Sequence, residues 1–108
     1  MTTGAILQIV IDWFGQRKRA SLELPKGWFG RPLDNLHQLT WSAAREHKIL
    51  LELDDQLLLI MTDPAHARTS DTELIIEGCV QVTLDWQEYG NMRPHVDVHG
   101  GGPVRFVR

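Results

Sequence analysis

Cysteine is almost missing: Cys79 is the only one in 108 residues, which excludes an intramolecular disulfide and any cysteine-built zinc cluster and fits a reducing compartment. There is no glycine-rich phosphate loop of the Walker or dinucleotide type, no HExxH, no GxSxG and no paired CxxC. The well-marked enzyme classes are therefore unsupported, and no cofactor is implied. Met1-Thr2-Thr3-Gly4 places no basic region before the first apolar run, and Asp12 interrupts that run, so the start reads neither as a leader nor as a bilayer span. The expectation is a cytoplasmic protein with no membrane partner. Positive charge is also scarce. Eleven Lys and Arg against fourteen Asp and Glu leave a net charge of −3, which repels a phosphate backbone and argues against nucleic acid as a partner. The one basic cluster, Arg17-Lys18-Arg19, reads as a solvated turn.

What is present suits one globular domain over residues 1–108. The chain is 43% hydrophobic and 23% charged, enough apolar content for a single core and too little charge imbalance for disorder. From Ile6 to Trp13 apolar residues recur at period two, with Leu7, Ile9, Ile11 and Trp13 opposite Gln8 and Asp12, which predicts a half-buried strand. A turn from Gly15 to Arg19 then leads to a second strand, Ala20, Leu22 and Leu24, ended by Pro25, so the two form a hairpin. Pro25 to Asn35 has two prolines, two glycines and no period, the composition of a long loop.

Residues 36–48 make no clean stripe at either period. Asp34 or Asn35 could cap a helix there, but the reading preferred is a strand ending near Ser42 and a turn around Arg45 to His47. Ile49, Leu51 and Leu53 form a strand, Asp54-Asp55-Gln56 supply a turn, and the continuous apolar run Leu57 to Met61 predicts a strand covered on both faces, the two making a hairpin at the centre of the sheet. Asp63-Pro64 ends it, with a surface connection through Asp71. Leu74 and Ile76 precede Gly78, a hairpin turn or a bulge, before the alternation Val80, Val82, Leu84, Trp86. Val96 and Val98 follow the Gly90-Asn91 turn, and Val104 to Val107 is the last strand. Seven to nine short strands at close spacing predict an all-β fold, a single-domain antiparallel β-sandwich or barrel.

Two constellations could carry function. In the loop, Trp28 and Phe29 sit between glycines ahead of Arg31, Asp34, Asn35 and His37, combining apolar area with hydrogen-bonding groups as a recognition surface does. The alternative is an Ω-like loop that tucks its aromatics into the sheet. In HVDVH, a strand would project His95, Asp97 and His99 from one face with Val96 and Val98 toward the core. These are metal-ligating residue types, and His37 or His47 could add a ligand. However, positions i and i+4 of a strand lie about 13 Å apart, so the competing reading is the polar face of an edge strand. Asp85 and Glu88 form a nominal carboxylate pair in a surface turn, and Cys79 reads as a buried structural thiol.

The string GWFGRPLDNLHQL, Gly27 to Leu39, is about an eighth of the chain and resembles a segment of a family of small uncharacterised bacterial proteins. The resemblance brings no activity with it. It implies that the Trp28 to His37 loop is characteristic of that group and that the chain is extended after Asn35. Three functions follow as expectations: a non-catalytic binding or accessory protein offering the loop to a protein or small ligand; a metal-dependent small enzyme or ligand-binding barrel using His95, Asp97 or His99; or a homodimer paired through a sheet edge, the HVDVH strand or its Val104 to Val107 neighbour.

Overall fold

The amino terminus departs most from the sequence reading. In the computed structural model, which describes residues 1–16, 18–31 and 34–108, Thr3–Phe14 is an α-helix, α1, and not a strand. The apolar residues between 6 and 14 fit both periods. The ends decide for helix: Thr2 Oγ1 accepts from the Ala5 amide at 3.1 Å, and Gly15 closes the last turn at φ 56°, a C-terminal position that suits glycine. Helical spacing then buries Ile6, Val10, Trp13 and Phe14 on one stripe and leaves Ile11 exposed. Of the Arg17-Lys18-Arg19 cluster, Lys18 and Arg19 are exposed, and Arg17 lies outside the described residues.

Among the described residues ten strands follow, one more than the upper end of the expected range: β1 Arg19–Leu24, β2 Gly27–Phe29, β3 His37–Arg45, β4 Lys48–Leu53, β5 Leu57–Thr62, β6 His66–Thr69, β7 Glu73–Cys79, β8 Gln81–Gln87, β9 Pro94–His99 and β10 Gly102–Val107. All pairings are antiparallel, in the order β6-β7-β10-β1-β3-β4-β5-β8-β9, with β2 attached to β1. The sheet does not close on itself. It is an open, sandwich-like all-β fold. Among the described residues no helix is long and apolar enough to cross a membrane.

β1 is the joint. It pairs with β10 through Ser21 to Glu23, with β3 through Arg19 and Ala20 and with β2 through Leu22 to Leu24. The two-residue turn Pro25-Lys26 makes β1 and β2 a hairpin, so the expected long loop begins as a strand; Pro32 and Leu33 of that loop lie outside the described residues. β6, likewise, falls inside the connection expected after Asp63-Pro64. The core gathers the inward side chains of the strands around α1, among them Leu22, Ile49, Leu51, Leu59, Met61, Leu74, Ile76, Leu84 and Phe106. Phe14 meets Phe106 edge-on with ring centres 5.0 Å apart.

Two irregularities explain what alternation alone could not. In β3, Leu39 faces Leu53 while Trp41 faces Glu52, so Thr40 is an extra residue that reverses which side chains point inward. The hydroxyl of Thr40 holds this bulge, donating to the Glu52 carbonyl and accepting from the Asp55 amide, both at 3.1 Å. In β7, Glu77 and Gly78 together face Pro103 between the pairs Ile76–Val104 and Cys79–Gly102. Gly78 thus sits in a bulge at φ 78°, where an added Cβ would lie 2.4 Å from that of Ala65. After it the chain leaves β10, passes Val80 and enters β8 beside β5.

β5 corrects a further expectation. Leu57, Leu59 and Met61 are buried, but Leu58, Ile60 and Thr62 are only partly covered, so this apolar strand has one core face.

Candidate functional site

The strand β9 has its faces the other way round from the sequence reading. Val82 pairs with His99, Leu84 with Asp97 and Trp86 with His95, and Val82 and Leu84 are core residues. His95, Asp97 and His99 therefore point inward with them, while Val96 and Val98 face solvent. His95 and Asp97 are admitted on this face because Trp86 supplies both an apolar face and a donor. Its ring stacks on His95 at 4.4 Å and 14°, and its Nε1 donates to Asp97 Oδ2 at 2.8 Å. His95 Nε2 also meets Glu88 Oε1 at 2.5 Å. The Asn91 amide, and then His95, hold the Glu88 carboxyl below its usual range.

The loop reaches the same place from the other side. Phe29 lies 5.5 Å from Trp86 and 5.7 Å from His37, so Phe29 and His37 belong to the cluster that contains His95. His37 is buried, with Nδ1 2.8 Å from Asp54 Oδ2. The other oxygen of Asp54 accepts the Gln38 amide at 2.9 Å, which fixes the start of β3. The remaining loop residues divide. Trp28 points outward, with Arg105 5.2 Å from its ring centre. Arg31 and Asp34 are exposed. Asn35 braces the turn, donating to the Phe29 carbonyl at 3.4 Å and packing so closely on Gly30 that no Cβ would fit there.

Between the free edges of β2 and β9 runs an open groove of about 380 Å³, lined by both strands together with Leu24 and Lys26. Neither edge has a ladder partner on this side among the described residues. His99 lines the groove and is 6% exposed, and among the described residues both of its ring nitrogens lack a hydrogen-bond partner, as does His37 Nε2. Burial lowers the His99 pKa below the ordinary histidine value, Lys26 lowers it further, and Asp97 opposes them. His99 is therefore neutral near pH 7, with one donor and one acceptor to offer.

The metal constellation does not assemble. Among the described residues no three His, Cys, Asp or Glu side chains are grouped to hold an ion, Asp97 and His95 are engaged by Trp86 and Glu88, and His47 is exposed beside Asp63. Asp85 lies on the outer face opposite Val96 while Glu88 turns to His95, so they do not act as a pair. Burial pushes the Cys79 thiol up to about 11, which makes it a poor nucleophile. Sequence reasoning did not single out Lys26 or Asp54, nor the role of Trp86, although the alternation of β8 already set Trp86 on the Val82 side. No family model matches the chain, and neither curated proteins nor solved structures gave a match to it.

Proposed function

We propose that this protein is a non-catalytic binding module that takes an extended peptide segment of a partner protein into the groove between β2 and β9. The observation that carries the reading is the pair of strand edges, unpaired among the described residues, on either side of one groove. Main-chain groups on such edges recruit a further strand, and the groove volume is within the range of sites that hold small ligands or short segments. His99 adds an unused donor and acceptor in a buried setting, where a hydrogen bond to a ligand gains most. Trp28 at the rim adds aromatic area of the kind that anchors partners.

The test is a selection of random extended peptides on the immobilised protein, followed by proton–nitrogen NMR titration with the selected peptide. Amide shifts concentrated at 27–29 and 96–99, with slowed exchange of those amides on binding, are expected. Peptides that shift only other surfaces, or a failure to select any peptide binding more tightly than about 1 mM, would refute the assignment.

A further inference from the structure

The outer face of the β3-β4-β5-β8-β9 half of the sheet carries its own pattern. Register places Ala43 beside Leu50, Leu50 beside Ile60, Ile60 beside Thr83 and Thr83 beside Val98, an almost wholly apolar row across all five strands. Core packing lies on the opposite face, and this row is only partly covered: Ala43, Leu50, Ile60 and Thr83 are half-buried, Val98 is 51% exposed, and Val96 and Trp41 in the next row are 62% and 42% exposed. A contiguous apolar band of this kind on a soluble surface marks an interface.

The charges on either side of the band are segregated. On one side the row runs Trp41, Glu52, Leu58, Asp85, Val96, and on the other Arg45, Lys48, Thr62, Gln81. Arg45 and Lys48 are directly opposite each other, an arrangement of like charges that costs stability. None of Arg45, Lys48, Glu52 and Asp85 has an ion-pair partner in its own chain among the described residues.

We infer that this face binds a second copy of the same chain, face to face, about a two-fold axis running along the Ala43–Val98 row. Such an axis reverses each strand over itself, and Glu52 and Lys48 flank Leu50 symmetrically on β4, as Trp41 and Arg45 flank Ala43 on β3. Glu52 therefore comes over the partner's Lys48, Trp41 over the partner's Arg45, and Ile60 over the partner's Ile60. Apolar meets apolar, acid meets base and an indole meets a guanidinium. Packing of two sheets with strands within about 30° keeps this register at the central strands β4 and β5. Five strands by three rows span about 24 Å by about 20 Å, or roughly 1,000 Å² over two copies. That is the lower limit of specific interfaces, which makes the dimer a reversible one. The association uses the flat of the sheet, where the sequence reading placed it at a strand edge, and it shares Val96 and Val98 with one wall of the β2–β9 groove.

Sedimentation velocity from about 10 μM to about 1 mM tests it: the wild type is expected to shift from monomer to dimer, and a monomer throughout overturns the inference. Lys48→Glu and Glu52→Lys are each expected to weaken association about tenfold, and the double variant to restore it, because the swapped charges meet again across the axis. Singles that have no effect, or a double no better than its singles, overturn the register. Ile60→Lys, with folding checked by its NMR spectrum, is expected to abolish the dimer; a dimer that survives it pairs through an edge and overturns the face. Should that variant not fold, the charge swaps at Lys48 and Glu52 decide alone.

Discussion

Replacing His99 with leucine should stabilise the fold while impairing peptide binding. His99 is buried, with both ring nitrogens unpartnered among the described residues, opposite Val82 on an inward face. Leaving a buried donor or acceptor unpaired costs about 1–3 kcal/mol, and an apolar group of similar shape removes that cost. His99→Leu should therefore gain on the order of 1–3 kcal/mol at pH 7.5, or several degrees in Tm for a domain of this size. The pH dependence gives a second reading. Burial first, and Lys26 second, lower the folded-state pKa against the opposing Asp97. Between that value and the unfolded histidine pKa near 6.5, the unfolded chain binds a proton that the folded chain does not. Stability from this group is thus present above the unfolded pKa, declines as the pH falls through it, and levels off below the folded pKa. Urea unfolding at pH 7.5 and pH 5.5 measures both effects, and the wild type should lose more over this interval than His99→Leu. Glu77 and Glu88, whose folded pKa values are also lowered, give up their contribution only on acidification through the carboxylate range, outside this window. A His99→Leu variant that is destabilised at pH 7.5 with an unchanged urea slope, or that keeps the full wild-type slope between the two pH values, would refute the reasoning.

Three further outcomes are expected. Val10→Ala should cost roughly 2 kcal/mol by loss of buried methyls and Ile11→Ala under about 0.5 kcal/mol; thermal unfolding showing the reverse order would return residues 3–14 to a strand. Gly101→Ala should cost at least about 2 kcal/mol, since glycine holds φ 124° there and an added Cβ would lie 2.7 Å from the Cys79 carbonyl oxygen; chemical denaturation measures it, and a neutral variant contradicts the geometry. Cys79 should react with a disulfide reagent only at the rate of unfolding at pH 8, and fully in urea; prompt labelling of the native protein would show the thiol to be accessible.

The fold class was readable because β4, β8 and β10 alternate with one face in the core, and period two is unmistakable when buried partners are regular. α1 was misread because apolar residues at 6, 7, 9, 10, 11, 13 and 14 satisfy both periods, and the deciding marks, Thr2 at one end and Gly15 at the other, lie outside the apolar run. The extended reading of residues 36–48 agrees with β3, which runs on to Arg45. Its missing stripe is the Thr40 bulge, a shift of register that no fixed period can represent. The candidate site was half legible. Both constellations contribute to one groove, but β9 was assigned the wrong face, because polarity normally points to solvent and only the indole of Trp86 makes Asp97 and His95 tolerable inside. The uncovered side of β5 escaped notice for a related reason. An unbroken apolar run looks the same whether its second face meets another layer of its own chain or is left open.

The position of β10 bears on how the chain folds. Among the described residues β7 joins the rest of the sheet only through β10, which lies between it and β1, and the Glu23–Arg105 ion pair there joins residues 82 apart. Until the chain has been made as far as Val107, β1 remains an open edge and the β6–β7 pair has α1 to pack on but no strand through which to join the sheet. Folding is therefore governed by a late long-range closure, which places it in the millisecond-to-second regime of high contact order and makes the nascent β1 edge the segment most in need of protection from other chains.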